Sequence, residues 1–203
     1  MIYLAGRGGT LFGLWGNSAV SGGRFPILPP GAGNFSRYIQ RCIGCQACAA
    51  VCPVKIIKPL PGRVLPLLSY DDAYCQFSCV ECGKVCPAGA IRELDVQTKR
   101  RTRTALSDLK IELCVVVTKG TSCGACAESC PTRAVYMKEQ GGGLPTIPVF
   151  DERYCIGCGA CLVVCPAEPK AFAITPVSEQ SLTEGIRPTE GGGEIAPLEE
   201  FPF

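Results

Sequence analysis

The chain has 203 residues, 16 cysteines, no histidine and a formal net charge of +2. A balance this close to neutral, without a recognition motif, argues against nucleic-acid binding. Without histidine or a glycine-rich phosphate loop that opens a helix, nicotinamide and flavin chemistry is not expected, nor is a small-molecule substrate.

Residues 1–34 precede the first cysteine and are rich in glycine and proline. This composition predicts an N-terminal arm, whose apolar part at residues 1–20 either packs flexibly on the surface or is the remnant of a longer leader or membrane anchor. No run of about 18 uninterrupted apolar residues occurs, so the chain as given is not expected to span a membrane.

The sixteen cysteines then follow as four groups of four, and each group ends in Cys-x-x-x-Cys-Pro. Groups one and four have the spacing Cys-x-x-Cys-x-x-Cys-x-x-x-Cys-Pro, which is typical of ferredoxin [4Fe-4S] clusters. The groups are Cys42, Cys45, Cys48, Cys52 (one); Cys75, Cys79, Cys82, Cys86 (two); Cys114, Cys123, Cys126, Cys130 (three); and Cys155, Cys158, Cys161, Cys165 (four).

The spacing has a physical basis. Three closely spaced thiolates can surround one face of a cluster only if the backbone curls tightly, which favours Gly44, Gly157 and Gly159. The fourth cysteine lies a helical turn further on and ligates the other cluster of a pair. The sequence therefore predicts four [4Fe-4S] clusters with all sixteen cysteines as metal ligands, and folding that is coupled to cluster assembly.

Three other uses of cysteine fit less well. Disulfides are disfavoured because the cysteines lie too close together within each group, and zinc sites use separated pairs, often with histidine. Cys75, Cys79 and Cys82 alone match the radical S-adenosylmethionine signature, which would make the chain a catalytic iron-sulfur enzyme. Since Cys86-Pro87 completes that group like the others, we expect an electron carrier instead.

Short apolar segments flank the cysteine groups and predict an α+β fold of ferredoxin-like modules with short strands, short helices and a core dominated by clusters. The strands are expected after the groups at residues 54–57, 90–91, 134–136 and 171–174, and before them at residues 64–68, 111–113 and 147–150. We assign residues 35–177 to this four-cluster domain.

Groups two and three are irregular, because Cys75-x-x-x-Cys79 has one extra residue and eight residues separate Cys114 from Cys123. Matching by spacing predicts a nested arrangement, with an outer module from segments 42–52 and 155–165 and an inner module from segments 75–86 and 114–130. A sequential pairing of one with two and three with four stays open. In the nested arrangement the ligand sets are Cys42, Cys45, Cys48, Cys165; Cys155, Cys158, Cys161, Cys52; Cys75, Cys79, Cys82, Cys130; and Cys114, Cys123, Cys126, Cys86.

Two further regions have a distinct composition. Lys99, Arg100, Arg101 and Arg103 form a basic patch between groups two and three, which is either a solvated linker surface or a docking site for an acidic partner. Residues 178–203 are rich in glutamate, glycine and proline and predict a flexible acidic tail.

The four-group layout, the long spacing in group three and the segment Pro29-Pro30-Gly31-Ala32 resemble the ferredoxin-type proteins of the NapG/MauM class. The loops around Cys75–Cys79, Cys123–Cys130 and Cys155–Cys161 are similar to those of bacterial polyferredoxins. The resemblance covers residues 26–176. It implies an electron relay through four clusters between redox protein partners, such as a membrane-bound quinol-linked donor, as a subunit or accessory of a membrane-linked oxidoreductase.

One feature departs from that class. Its members typically carry a twin-arginine export signal, whereas residues 1–25 contain only Arg7 and Arg24, far apart. We therefore expect a cytoplasmic or membrane-associated location for the chain as given, and a periplasmic one only if a leader is missing.

Overall fold

The computed structural model describes residues 26–59 and 65–189. The expectations for residues 1–25, for position 64 and for residues 190–203 lie outside these ranges. Helices within them are short, from four to seven residues. They are α1 Phe35–Arg41, α2 Ala47–Val51, α3 Glu81–Lys84, α4 Val96–Arg101, α5 Val115–Lys119, α6 Ala125–Glu128 and α7 Ala160–Val163, with 3₁₀ turns at Ile111–Leu113 and Glu152–Tyr154.

Two antiparallel strand pairs connect consecutive cysteine groups. Strands β1 (Ile57–Pro59) and β2 (Pro66–Leu68) lie between groups one and two, with Ile57 opposite Leu68. Strands β4 (Val135–Lys138) and β5 (Ile147–Phe150) lie between groups three and four in the same way. Because antiparallel strands return the chain to its starting side, each pair places two consecutive groups next to each other.

A longer pair joins the two halves of the chain. Strand β3 (Thr102–Leu109) follows group two, and it pairs antiparallel with β6 (Phe172–Leu182), which follows group four. The register shifts between Arg103 and Ala105, where the loop of group four contacts the strand: Thr104 donates its amide N–H to the carbonyl oxygen of Ile156 at 3.0 Å. This pair holds the second half of the chain against the first.

Helix α4 and strand β3 are elements that the sequence did not predict. Asp95 caps the N-terminus of α4, because the carboxylate accepts the amide N–H of Thr98 at 2.8 Å. The helix runs directly into β3 and presents Lys99 and Arg100 to group two. The expected linker between groups two and three is therefore ordered structure.

The domain boundaries extend beyond residues 35–177. Ile27, Leu28 and Ala32 are buried in the core, so residues 26–34 are not a surface arm. At the other end, β6 continues to Leu182, and the Gln180 side chain accepts the amide N–H groups of Gly31 and Gly33 at 2.9 and 3.1 Å. Residues 178–189 thus belong to the folded part of the chain rather than to a free tail.

The strand predictions fare unevenly. Strand β5 has the predicted bounds, and β1, β2, β4 and β6 overlap the predicted segments. Residues 90–91 form no strand, and residues 111–113 form a 3₁₀ turn instead. Ala90 and Ile91 are apolar because they are buried in the core, which produces the same short apolar run as a strand.

Candidate iron-sulfur sites

The first set of cysteines comes from groups one and two. Cys42, Cys45, Cys48 and Cys86 line one apolar space of about 310 Å³. Tyr38 and Pro66 close its inner side, and the Tyr38 hydroxyl donates to the Pro66 carbonyl oxygen at 2.7 Å. Burial raises the pKa of the Cys48 thiol to about 11, and the neighbouring thiolates of this set act in the same direction.

The second set also combines groups one and two. Cys52, Cys75, Cys79 and Cys82 line a space of about 350 Å³ together with apolar side chains such as Ile56. Burial raises the pKa of the Cys82 thiol to about 12. Cys52 is therefore the fourth ligand available to the three cysteines that resemble the radical S-adenosylmethionine signature.

The third set draws on groups three and four. Cys130, Cys155, Cys158 and Cys161 line a space of about 280 Å³. The Ser107 hydroxyl of β3 lies 3.3 Å from the Cys161 sulfur and 3.7 Å from the Cys155 sulfur. Hydrogen bonds to cluster sulfurs are one determinant of reduction potential, so Ser107 is a candidate site residue that sequence patterns did not reveal.

The fourth set is indicated by packing. Cys114 and Cys165 are buried in one apolar cluster, and Cys123 packs against it. Burial raises the pKa of the Cys126 thiol to about 11, and the Cys114 and Cys123 thiolates act in the same direction. Cys114, Cys123, Cys126 and Cys165 thus lie together.

This grouping corrects the nested partition. The structure places Cys86 rather than Cys165 beside Cys42, and Cys130 rather than Cys52 beside Cys155. The physical reason is that an antiparallel strand pair between two consecutive groups brings those groups together in space. Equal spacing within a group determines only how its own loop curls. The positions of the cysteines therefore favour the sequential pairing, which the sequence left open.

The four sets suit a cationic iron-sulfur core. Each brings four thiols together, and burial makes an unligated thiolate costly at Cys48, Cys82 and Cys126, whose pKa values are raised. Iron removes that cost because it coordinates thiolates directly. Within the described ranges, no group of three or more Cys, Asp or Glu residues is arranged for a single metal ion.

The two halves meet at the second and third sets. The amide N–H of Cys75 donates to the carbonyl oxygen of Cys158 at 2.9 Å. Beside this bond, the buried Tyr70 hydroxyl donates to the Gly157 carbonyl oxygen at 2.7 Å. Gly159 has a φ of +89°, and a Cβ there would collide with the Tyr70 ring. The curled loop that the sequence predicted is thus confirmed, and the curl also lets Tyr70 pack against it.

The basic patch is engaged inside the molecule. Lys99 is only 3% exposed and donates to the Gln76 carbonyl oxygen at 3.1 Å. Arg100 donates to the Ser78 hydroxyl at 2.9 Å, Arg101 to the Thr183 carbonyl oxygen at 3.0 Å, and Arg103 to the Cys155 carbonyl oxygen at 2.9 Å. The contacts of Lys99, Arg100 and Arg103 are with cysteine loops, whereas the exposed Arg101 contacts the end of β6. Because these side chains are engaged within the protein, the docking role has no support here.

No helix in the described part of the chain has the length and apolar character needed to cross a bilayer.

Comparison with known proteins agrees with the sequential pairing. A family model described as a 4Fe-4S dicluster domain matches residues 41–90 and again residues 120–168. The first match spans groups one and two, and the second spans group four and all of group three except Cys114, whose long spacing places it outside. This chain is a ferredoxin-type protein with two 4Fe-4S dicluster domains.

Named relatives place this ferredoxin-type protein more closely. It is 28% identical over 162 residues to the ferredoxin-type protein NapF of Escherichia coli K12, covering 80% of this chain and 90% of that protein. It is 29% identical over 161 residues to the methylamine utilization ferredoxin-type protein MauM of Methylobacillus flagellatus, covering 74% and 68%. It is 27% identical over 191 residues to the ferredoxin-type protein NapG of Escherichia coli K12, covering 84% and 78%.

The two dicluster domains and the 16 cysteines indicate multiple [4Fe-4S] clusters. The protein is an iron-sulfur electron carrier rather than an enzyme, as its ferredoxin-type relatives are.

Proposed function

We propose that this protein holds four [4Fe-4S] clusters and relays single electrons along them between redox protein partners. The order follows the ligand sets: first (Cys42, Cys45, Cys48, Cys86), second (Cys52, Cys75, Cys79, Cys82), third (Cys130, Cys155, Cys158, Cys161) and fourth (Cys114, Cys123, Cys126, Cys165). Within each dicluster domain, each group lends its last cysteine to the other group, as in two-cluster ferredoxins.

The observation that carries this order is the bond between the Cys75 amide and the Cys158 carbonyl. It joins a ligand of the second set to a ligand of the third, so the two domains share one continuous path. Each bound cluster would supply one-electron redox chemistry. The protein's own part is to fix the ligands, exclude water from the sulfurs and keep adjacent sets close.

One end of the relay faces solvent. Cys45 of the first set is the one exposed cysteine among the sixteen. Beside it, Ile43 and Ile39 are 68% and 47% exposed, and Arg41 is also exposed. The first 70 residues contain no Asp or Glu. An apolar centre with a basic surround fits an acidic redox partner, which electrostatic attraction would guide to this end.

The partner's identity rests on the resemblance to the NapG/MauM class. It favours a membrane-bound quinol-linked donor, with this protein as a subunit or accessory of a membrane-linked oxidoreductase. Since the basic patch at residues 99–103 is engaged internally, the surface near Cys45 replaces it as the docking site in this proposal.

The test is the cluster content of anaerobically purified or reconstituted protein. Four complete ligand sets should bind about 16 iron and about 16 sulfide per chain, and should take up about four electrons. A stable preparation with about 8 iron or fewer after reconstitution would show that two of the sets do not hold clusters.

The catalytic alternative has a test of its own. Because Cys52 completes the set of Cys75, Cys79 and Cys82, no iron should be open to a substrate. Adding S-adenosylmethionine to the reduced protein should neither change its paramagnetic spectrum nor release 5′-deoxyadenosine. Release of that product would make the chain an enzyme.

A further inference from the structure

Lys99 is a buried cation. Its residue is 3% exposed, and the three ion pairs found in residues 26–59 and 65–189 all involve other side chains. A buried ammonium without a compensating negative group is costly, so its surroundings should supply negative charge. Asp95, the acidic residue nearest to α4 along the chain, caps the helix N-terminus instead.

The compensation comes from the loop of group two. The Lys99 ammonium donates to the carbonyl oxygens of Gln76 and Phe77 at 3.1 and 3.5 Å. It also acts on the Cys75 thiolate, both as a neighbouring charge and as a hydrogen-bond donor, and it attracts the Cys82 thiolate more weakly. Lys99 therefore points at the second set of cysteines.

The extra residue of group two and the basic segment at residues 99–103 meet in this contact. Group two has one extra residue between its first two cysteines, so three residues, 76 to 78, form the loop. Lys99 binds the carbonyls of the first two, and Arg100 binds the Ser78 hydroxyl and lies over the Phe77 ring at 5.2 Å. The longer loop thus turns its carbonyl groups toward α4, where a buried lysine can approach the sulfurs.

The cationic side chains beside the other sets lie closer to solvent than Lys99 does. Arg103 donates to the Cys155 carbonyl oxygen of the third set and Lys170 to the Cys165 carbonyl oxygen of the fourth, and both residues are only partly buried. The charges acting on Cys48 of the first set, Cys158 of the third and Cys126 of the fourth come chiefly from other thiolates. Arg37 interacts with Cys86 of the first set, but it is half-exposed and donates to the carbonyl oxygens of Gly89 and Ala90. A charge near solvent acts less strongly than a buried one.

We propose that Lys99 raises the reduction potential of the cluster bound by the second set above those of its neighbours. The inference rests on the proposed four-cluster relay. One electron leaves a neighbouring cluster, which is oxidised by one unit, and the second-set cluster is reduced by one unit, with no bond made or broken. The added negative charge then lies beside the Lys99 ammonium, which stabilises it.

The position gives this effect a role. Cys75 donates its amide N–H to Cys158, so the second set lies at the junction of the two dicluster domains. Because its reduction potential is raised, the second-set cluster is the one that holds the electron during transfer from one redox partner to the other. Lys99 is a positioning and tuning residue and does not itself exchange the electron.

The experiment is a redox titration of the anaerobic holoprotein, followed by electron paramagnetic resonance with spin counting. Lys99→Met removes the charge, Lys99→Gln removes the charge but keeps a hydrogen-bond donor for the loop, and Lys99→Arg keeps the charge. In the Met and Gln variants, the reduction potential of one cluster, counted as about one spin per chain, should fall by at least about 59 mV. That fall corresponds to a tenfold change in the equilibrium constant for one-electron reduction. The Arg variant should stay near wild type.

Lys84→Met is the matched control. Lys84 belongs to the same group and also faces Cys79, but its side chain is 47% exposed and pairs with Glu81 at 2.8 Å. Solvent should screen its charge, so this variant should leave all potentials unchanged.

Three outcomes would overturn the inference: unchanged potentials in both neutral variants, an equal shift in Lys84→Met, or selective loss of about a quarter of the iron in both neutral variants. The last would assign Lys99 to holding the loop. Wild-type protein that binds fewer than four clusters would instead contradict the proposed relay, so the two failures are distinguishable.

Discussion

The amide N–H of Cys75 donates to the carbonyl oxygen of Cys158 at 2.9 Å, and this bond connects a ligand of one dicluster domain to a ligand of the other. Tyr70 supports the contact from the side, because its hydroxyl donates to Gly157 and its ring packs against Gly159. Besides the β3–β6 strand pair, the ligand loops themselves thus join the two domains, and a change there should affect both cluster retention and electron exchange.

Gly159→Ala should weaken this junction. A side chain at the φ of +89° costs about 1 to 2 kcal/mol, and collision with the buried Tyr70 ring should add about 1 to 3 kcal/mol. We expect faster loss of clusters in the presence of a chelator and slower electron exchange between the two domains.

Gly141→Ala is the control for that variant. Gly141 has a similar φ of +77°, but a Cβ there would meet no atom within 4 Å. Gly141→Ala should therefore cost only the free energy of placing a side chain at a positive φ. Its rate of cluster loss should stay much closer to that of wild type. Equal rates in the two variants would show that the contact with Tyr70 does not hold the junction.

The buried tyrosines should make the protein sensitive to alkaline pH. Burial raises the pKa values of Tyr38 and Tyr70 well above that of a free tyrosine, and nearby thiolates act in the same direction. Below about pH 10 both states keep these protons, so the stabilisation is complete; above it the unfolded state loses protons that the folded state retains, and stability falls.

Each such tyrosine should contribute up to about 1.4 kcal/mol per pH unit to this fall. Anaerobic guanidinium unfolding between about pH 9 and pH 12 should show a shallower fall for Tyr38→Phe and Tyr70→Phe than for wild type. Tyr74→Phe, at a side chain that is 39% exposed, is the control. Identical slopes for all four proteins would contradict the explanation.

Arg41→Glu should slow electron transfer from an acidic donor, such as a reduced acidic flavodoxin. Arg41 lies beside the exposed Cys45 and Ile43, in a segment without acidic residues. We expect the bimolecular rate to fall about threefold to tenfold at low salt, and the difference to shrink as salt is added.

Lys119→Glu is the matched reversal at the opposite end of the relay, since Lys119 ends the helix that follows Cys114 and is exposed. It should leave the rate from the acidic donor nearly unchanged. A larger effect in Lys119→Glu than in Arg41→Glu would place the docking surface at the fourth set.

The curled shape of the cysteine loops was predictable from the sequence because each loop is local. The spacing of three cysteines and the glycines at 157 and 159 fix a curled backbone without reference to the rest of the chain. The same holds for β5, whose residues 147–150 are bounded by a glycine-rich turn and by Asp151.

Pairing of the groups was not predictable in the same way, because it depends on contacts between distant segments. Equal spacing in groups one and four suggested partnership, but the strand pairs β1–β2 and β4–β5 place consecutive groups together. The basic patch was misleading for a similar reason. Charged side chains usually face solvent, yet Lys99 is buried against a loop 22 or 23 residues earlier in the chain.

Diffraction from anaerobic crystals at the iron absorption edge tests the central claim most directly, because it locates every iron and its ligands. We predict four cubanes per chain, the first bound by Cys42, Cys45, Cys48 and Cys86, with each thiolate sulfur about 2.3 Å from iron, the length seen for thiolates at tetrahedral metal sites. Fewer than four cubanes, or Cys165 in place of Cys86 on the first, would contradict the sequential four-cluster relay.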